Sequence, residues 1–188
     1  MPADDAANSL TPLKPPFDPE IAEILALYPQ RNGYLLSLFR SFAHSKRFLQ
    51  KGVPNLLDQE SPLSLRQREI VILRVCALRD CAYEWGVHAA IFAGAARFTA
   101  TQIAATRRGA PDDPAWAPDE ALLIEAVDGF IQEGGLGEAV KARFQAVFTA
   151  EEQLEIIALC GAYQTVSLVA RLAARPPEPF AAPFPEGA

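Results

Sequence analysis

Cys81, Glu84 and His88 are three chemically active groups, and their spacing stacks them. Glu84 and His88 are four residues apart, and Cys81 precedes Glu84 by three. On a helix, such residues share one stripe, with neighbouring Cβ atoms roughly 6 Å apart. A thiol, a carboxylate and an imidazole in one row are the groups that acid–base or thiol chemistry requires. A plainer reading stands beside this one. A Glu–His pair at this spacing is often a surface ion pair, and a buried cysteine is usually inert packing. Asp80 is placed to cap a helix that begins at Cys81, where free N–H groups and the helix dipole lower a thiol pKa. Glu84 acts in the opposite sense, because a nearby carboxylate disfavours a thiolate. The sequence does not give the sum of these influences; a protonated His88 would favour the thiolate.

The remaining reactive side chains read as structure. His44, the other of two histidines, lies among basic residues in RSFAHSKRF and is expected at the surface. Cys76 and Cys160 fall in apolar runs and are expected in the core. Arg66, Arg68, Arg74 and Arg79 can solvate a helix face. One or two of them can instead hold a substrate carboxylate, which arginine grips in two-pronged fashion. No H-E-x-x-H or clustered-histidine spacing is present, so no metal is expected.

The elements that must position these groups are helical. Apolar residues at helical spacing mark Ile21 to Tyr28 and then Leu35 to Phe42, separated by a break at Pro29 to Gly33, with Gly52 and Pro54 ending the second helix. Ser64 with Gln67 forms a capping-box start for a helix from Leu65 to about Arg79. Asp80 then opens a helix to about Ala93. Thr99 with Gln102 starts a short helix that stops at Gly109. After a proline-rich loop, helices are expected over Asp119–Glu133, Gly137–Phe148 and Glu151 to about Arg175, the last capped by Thr149 with Glu152. No alternating strand run competes. The expectation is an all-α bundle of about eight helices. The last helix is apolar on nearly every face, which points to a subunit interface.

Composition bounds the rest. The 188 residues suit one domain at 20–175, flanked by proline-rich arms at 1–19 and 176–188. Proline at that density leaves both ends loose, although Phe180 and Phe184 suggest that the C-terminal tail packs on a partner subunit. A net charge of −6 argues against nucleic acid, whose phosphates need a cationic face. No apolar run of about 18 residues suggests a membrane span. Met1 to Asn8 is acidic and polar, unlike a secretory signal. Three cysteines without framework spacing fit a reducing compartment, so a cytoplasmic location is expected.

The run REIVILRVCALRDCAYEWGVHAAIFAG, Arg68 to Gly94, resembles the core of the carboxymuconolactone decarboxylase and alkylhydroperoxidase D superfamily. Tyr83-Glu84-Trp85 followed by His88 is similar to one branch of it. The likeness extends through DEALLIEAVDGFI and EIIALCGAYQTV, over roughly residues 20–175. The redox branch carries a glutamate, a Cys-x-x-Cys enclosing a histidine, and a histidine three residues further on. Here Glu69, Cys81 and His88 match, while Tyr83 replaces the inner histidine and Glu84 the second cysteine. The resemblance implies active-site roles for Glu69, Cys81, Glu84 and His88, with Tyr83 a weaker candidate. It also implies an alkylhydroperoxidase D-like bundle that assembles into homo-trimers or hexamers, with no cofactor.

Two chemistries follow. In the first, Glu84 and His88 shuttle a proton on a small organic acid or lactone; Glu69 orients His88, Arg68 or Arg74 holds a substrate carboxylate, and Tyr83 donates to a developing enolate oxygen. In the second, Cys81 acts as a lone peroxidase thiol. Glu84 cannot resolve a sulfenic acid, and Cys76, five residues before Cys81, has no assured approach, so a two-cysteine cycle is not expected. A third reading is a binding or assembly protein that kept the fold without the chemistry.

Overall fold

The computed structural model describes residues 9–174 and 176–185. The acidic leader Met1 to Asn8, the helix end expected at Arg175 and the last three tail residues lie outside the described residues.

The described residues form nine α-helices with one two-stranded hairpin, an all-α architecture. Helix α1 is Pro19–Leu25, capped by Asp18. The expected break then contains a short antiparallel ribbon, β1 (Gln30–Arg31) and β2 (Tyr34–Leu35). Asn32 and Gly33 both take positive φ, 51° and 76°, the turn geometry that an Asn-Gly pair favours. The second expected helix divides into α2 (Ser37–Phe42) and α3 (Lys46–Lys51), because the Ser45 side chain caps a fresh start by accepting from the Phe48 N–H.

The core is built around α4 (Leu65–Leu78), whose residues from Glu69 to Ala77 are all buried. It is enclosed by α5 (Ala82–Phe92), α6 (Ala100–Arg108), α7 (Pro118–Asp128) and α9 (Ala150–Leu172). The Ser64–Gln67, Thr99–Gln102 and Thr149–Glu152 capping boxes all form. The expected helix at 119–133 is α7 followed by a π-helical turn, Gly129–Glu133, and α8 is Glu138–Val147. Helix α9 is long and apolar enough to cross a membrane. Its buried side, including Ile156, Leu159 and Tyr163, packs into the bundle as core. Its other side leaves Leu154, Ile157, Leu168 and Leu172 exposed.

The terminal arms are not loose where they are described. Leu13 donates its N–H to the Arg40 carbonyl, and exposed His44 meets the Thr11 carbonyl. Within the single chain, the C-terminal tail lies on its own fifth helix. Ala182 donates to the Gly86 carbonyl at 2.9 Å, and the Phe184 ring packs edge-on against Trp85 at 5.4 Å. Trp85 and Gly86 together make this possible: one supplies an apolar face, and the other has no side chain to keep the tail backbone away. Within the chain, Phe180 packs edge-on against Tyr34 as Phe184 does against Trp85.

Candidate active site

Helix α4 ends in a tight reversal that sets the start of α5. Asp80 takes φ 51°, its N–H bonds the Ala77 carbonyl at 3.0 Å, and the Cys81 N–H bonds the Cys76 carbonyl at 2.8 Å. These paired 5→2 and 6→1 bonds make a Schellman turn, with Asp80 in the left-handed position that aspartate tolerates. Asp80 is therefore the C-terminal stop of α4 and not the cap of α5. Its carboxylate turns outward to Arg107, at 2.8 Å. Cys81 itself occupies the N-cap position of α5.

From that start, one turn of α5 delivers Glu84 and the next delivers His88, as the spacing requires. Glu69, from the first half of α4, meets them across the helix pair. His88 Nδ1 lies 2.9 Å from Glu69 Oε2, and Nε2 lies 3.5 Å from Glu84 Oε1. Tyr163, from the middle of α9, places its hydroxyl 3.0 Å from Nε2. All four groups are enclosed: Glu69 is 1% exposed, His88 3%, Glu84 6% and Tyr163 7%. The pair is therefore not a surface ion pair.

Burial by itself lowers the His88 pKa, since it disfavours the charged ring. The Glu69 and Glu84 carboxylates outweigh burial and raise the value to about 10. The ring is thus an imidazolium at neutral pH, its Nδ1–H donating to Glu69 and its Nε2–H to the Tyr163 oxygen. Burial, reinforced by the same two carboxylates, pushes the Tyr163 hydroxyl well above its ordinary range. Glu84 Oε2 is buried with no hydrogen-bond partner.

Cys81 is buried one turn before Glu84. Burial, with help from the Glu84 carboxylate, raises its thiol pKa, against weaker opposing influences that include the Glu84 amide, Ser167 and Arg171. The competition left open by the sequence is thus settled by desolvation. The residue lines a groove of about 230 Å³ with Asp80, Ala82, Tyr83, Arg171 and Ala174.

The other sequence-derived candidates sit elsewhere. The Tyr83 side chain points away from His88. Its hydroxyl donates to Glu178 of the tail and lies 3.1 Å from Ser37 Oγ. Arg74 is committed to structure, gripping Asp128 with two bonds of 2.6 Å and also donating to the Thr106 and Gly109 carbonyls. Arg66 and Arg79 are tied in the same way, Arg66 to Glu120 and Arg79 to the Ile131 carbonyl and Gln164. Arg68 stands closer. It donates to the Asp58 carbonyl at 2.6 Å, its Nε is buried without a partner, and its charge is felt at Tyr163. Among the described residues, no group of three or more His, Cys, Asp or Glu side chains converges as a metal site. Tyr163 was missed in the sequence, although it lies in the EIIALCGAYQTV segment; a buried tyrosine at helical spacing carries no mark that separates a site residue from core.

The fold is shared with known proteins. The carboxymuconolactone decarboxylase family model matches residues 43–128. A solved Agrobacterium tumefaciens protein of unknown function, whose description offers antioxidant defence of the AhpD type, is 20% identical with a TM-score of 0.58. That match covers 64% of this chain and 82% of that one. An uncharacterized peroxidase-related protein from Silicibacter sp. TM1040 is 18% identical with a TM-score of 0.73, covering 90% of this chain and 92% of that one. No functionally curated protein matches the chain. The family-matched segment carries Glu69, Cys81, Glu84 and His88; over that segment the chain is similar to the carboxymuconolactone decarboxylase family, and it shares its fold with these two solved structures.

Proposed function

We propose that the protein is an acid–base enzyme acting on a small organic acid or lactone, with Glu84 exchanging the proton. The observation that carries this reading is the free Oε2 of Glu84. A buried oxygen without a donor costs about 1–3 kcal/mol, so its retention favours a ligand or proton as the missing partner. Glu84 Oε1 faces the His88 imidazolium, which can return a proton to it, and Glu69 holds the far side of that ring. With the imidazolium donating to the Tyr163 oxygen, the phenolic proton is left for a substrate oxygen that gains charge, the role assigned above to Tyr83. Arg68 is the substrate-carboxylate holder in this reading, which its unpartnered Nε supports.

The test is to offer carboxylated lactones and related acids and to follow carbon dioxide release or ring opening. Turnover should be lost in Glu84→Gln and in His88→Ala. Full activity in either variant would remove this assignment.

A lone-cysteine peroxidase is the second reading. Cys81 at its groove supports it, as do the descriptions of the two structural neighbours as antioxidant or peroxidase-related. Its buried, high-pKa thiol speaks for the first reading. Peroxide turnover that persists in Cys81→Ser would dispose of the second. A homo-oligomer in the cytoplasm belongs to the same proposal, and the exposed apolar stripe on α9 supports self-association.

A further inference from the structure

The Schellman turn between α4 and α5 has a cysteine at each end. Cys76 supplies the carbonyl and Cys81 the N–H of the 6→1 bond. In this turn the side chains at those two positions characteristically touch on the inner side of the reversal. Here both are buried and both are free thiols. The Ser167 hydroxyl from α9 sits 3.9 Å from Cys76 Sγ, and its influence also reaches the Cys81 thiol. Disulfides span Cα separations of about 4.4–6.8 Å, the scale of a turn closed by one hydrogen bond. The five-residue spacing is therefore compatible with a bridge.

We infer that Cys76 and Cys81 are a disulfide-forming pair, oxidised by hydroperoxides, that closes across the turn leading into α5. Cys81 is the attacking sulfur, because it lines the groove while Cys76 is fully enclosed. Cys81 sulfur bonds to one peroxide oxygen, the O–O bond breaks, and the departing alkoxide takes the thiol proton, giving sulfenic acid and alcohol. Cys76 sulfur then attacks Cys81 sulfur; the S–OH bond breaks, and hydroxide leaves with the Cys76 proton as water. The pair has lost two electrons and the peroxide has gained them. An external thiol reductant restores both groups by exchange. The disulfide would fasten the residue that begins α5, one turn before Glu84. This inference does not depend on the acid–base reading.

Trypsin makes the test direct, since cleavage after Arg74, Arg79 and Arg97 puts the two cysteines in separate peptides, VCALR and DCAYEWGVHAAIFAGAAR. The folded full-length chain is treated with excess hydrogen peroxide or an organic hydroperoxide, alkylated under denaturing conditions, digested without reductant and analysed by mass spectrometry. The two peptides should appear joined, with two hydrogens lost, and separate again after dithiothreitol. The Cys160→Ala chain should give the same cross-link. Both thiols still alkylated after peroxide, a Cys81 sulfinic acid without the cross-link, or a bridge through Cys160 would each overturn the inference. The wild-type digest alone is decisive, so the outcome does not rely on a cysteine variant that fails to fold.

Discussion

The Tyr163 hydroxyl lies 3.0 Å from Nε2 of His88, so α9 and α5 meet through two buried side chains 75 residues apart in sequence. In Tyr163→Phe, the ring keeps its packing while Nε2 is left with only Glu84 Oε1 at 3.5 Å. Turnover of an accepted substrate should fall about 10- to 100-fold, equivalent to about 1.4–2.7 kcal/mol, with stability reduced by about 1 kcal/mol. Steady-state kinetics and urea unfolding on the same preparation check both.

Glu84→Gln preserves shape and removes the proton-exchanging group. The expected loss in turnover is about 10²- to 10⁴-fold, the usual contribution of a positioned acid or base, with the helical circular dichroism unchanged. Glu69→Gln acts through the other ring nitrogen and should lower the pKa of His88, visible as a shift of its imidazole titration by NMR.

The pH dependence of stability follows from the same ring. The folded-state pKa of His88 is raised from 6.5 to about 10. Its stabilising contribution is therefore complete below about pH 6.5 and is lost as the pH rises toward 10. The urea midpoint should decline across that interval. The part of the decline owed to His88 should vanish in His88→Gln, and an unchanged slope in that variant would contradict the assignment.

Arg74→Ala should cost stability without weakening substrate binding. It strands the Asp128 carboxylate between α4 and α7, and losing one member of a buried pair typically costs about 3–5 kcal/mol. KM per folded molecule should stay unchanged. A rise in KM with intact stability would restore Arg74 to the substrate site.

Gly86→Ala should lift the tail. A Cβ at that position would come within 2.6 Å of the Ala182 carbonyl oxygen, and Trp85 would lose its contact with Phe184. The readouts are altered tryptophan fluorescence and faster proteolysis beyond residue 175. Glu178 offers a second handle. Burial opposes its ionisation, but hydrogen bonds from Tyr34, Tyr83 and Ser37 prevail and lower its pKa. The tail's attachment should thus hold above about pH 4.5 and weaken as acid carries the solution through the lower folded-state value.

Much of this geometry was legible in the chain. Capping boxes at Ser64, Thr99 and Thr149 and the Glu84–His88 pair depend on residues a few positions apart, which sequence spacing describes directly. The fold class followed from the same local signals. What escaped was long-range or locally contradictory. Tyr163 reaches His88 across the bundle, and Arg74 finds Asp128 on another helix. Asp80 has the right type for a cap, yet the α4 reversal claims it first. Tyr83 was aligned with a site residue, but its helical position turns it toward Glu178, 95 residues away. The polar partner that makes the tail adhere is likewise invisible in a segment dominated by proline.

Glu178 is fastened to Tyr34 and Ser37, residues 144 and 141 positions earlier. A chain made from its N terminus cannot complete that union until residue 178 has emerged. Until then, the outer flank of the helix bearing Glu84 and His88, with Trp85 upon it, lacks its cover. Contacts of such separation form late because loop closure must precede them. That flank of α5 is thus sealed only after residue 178 is available, and ribosome stalling before that point would leave it bare.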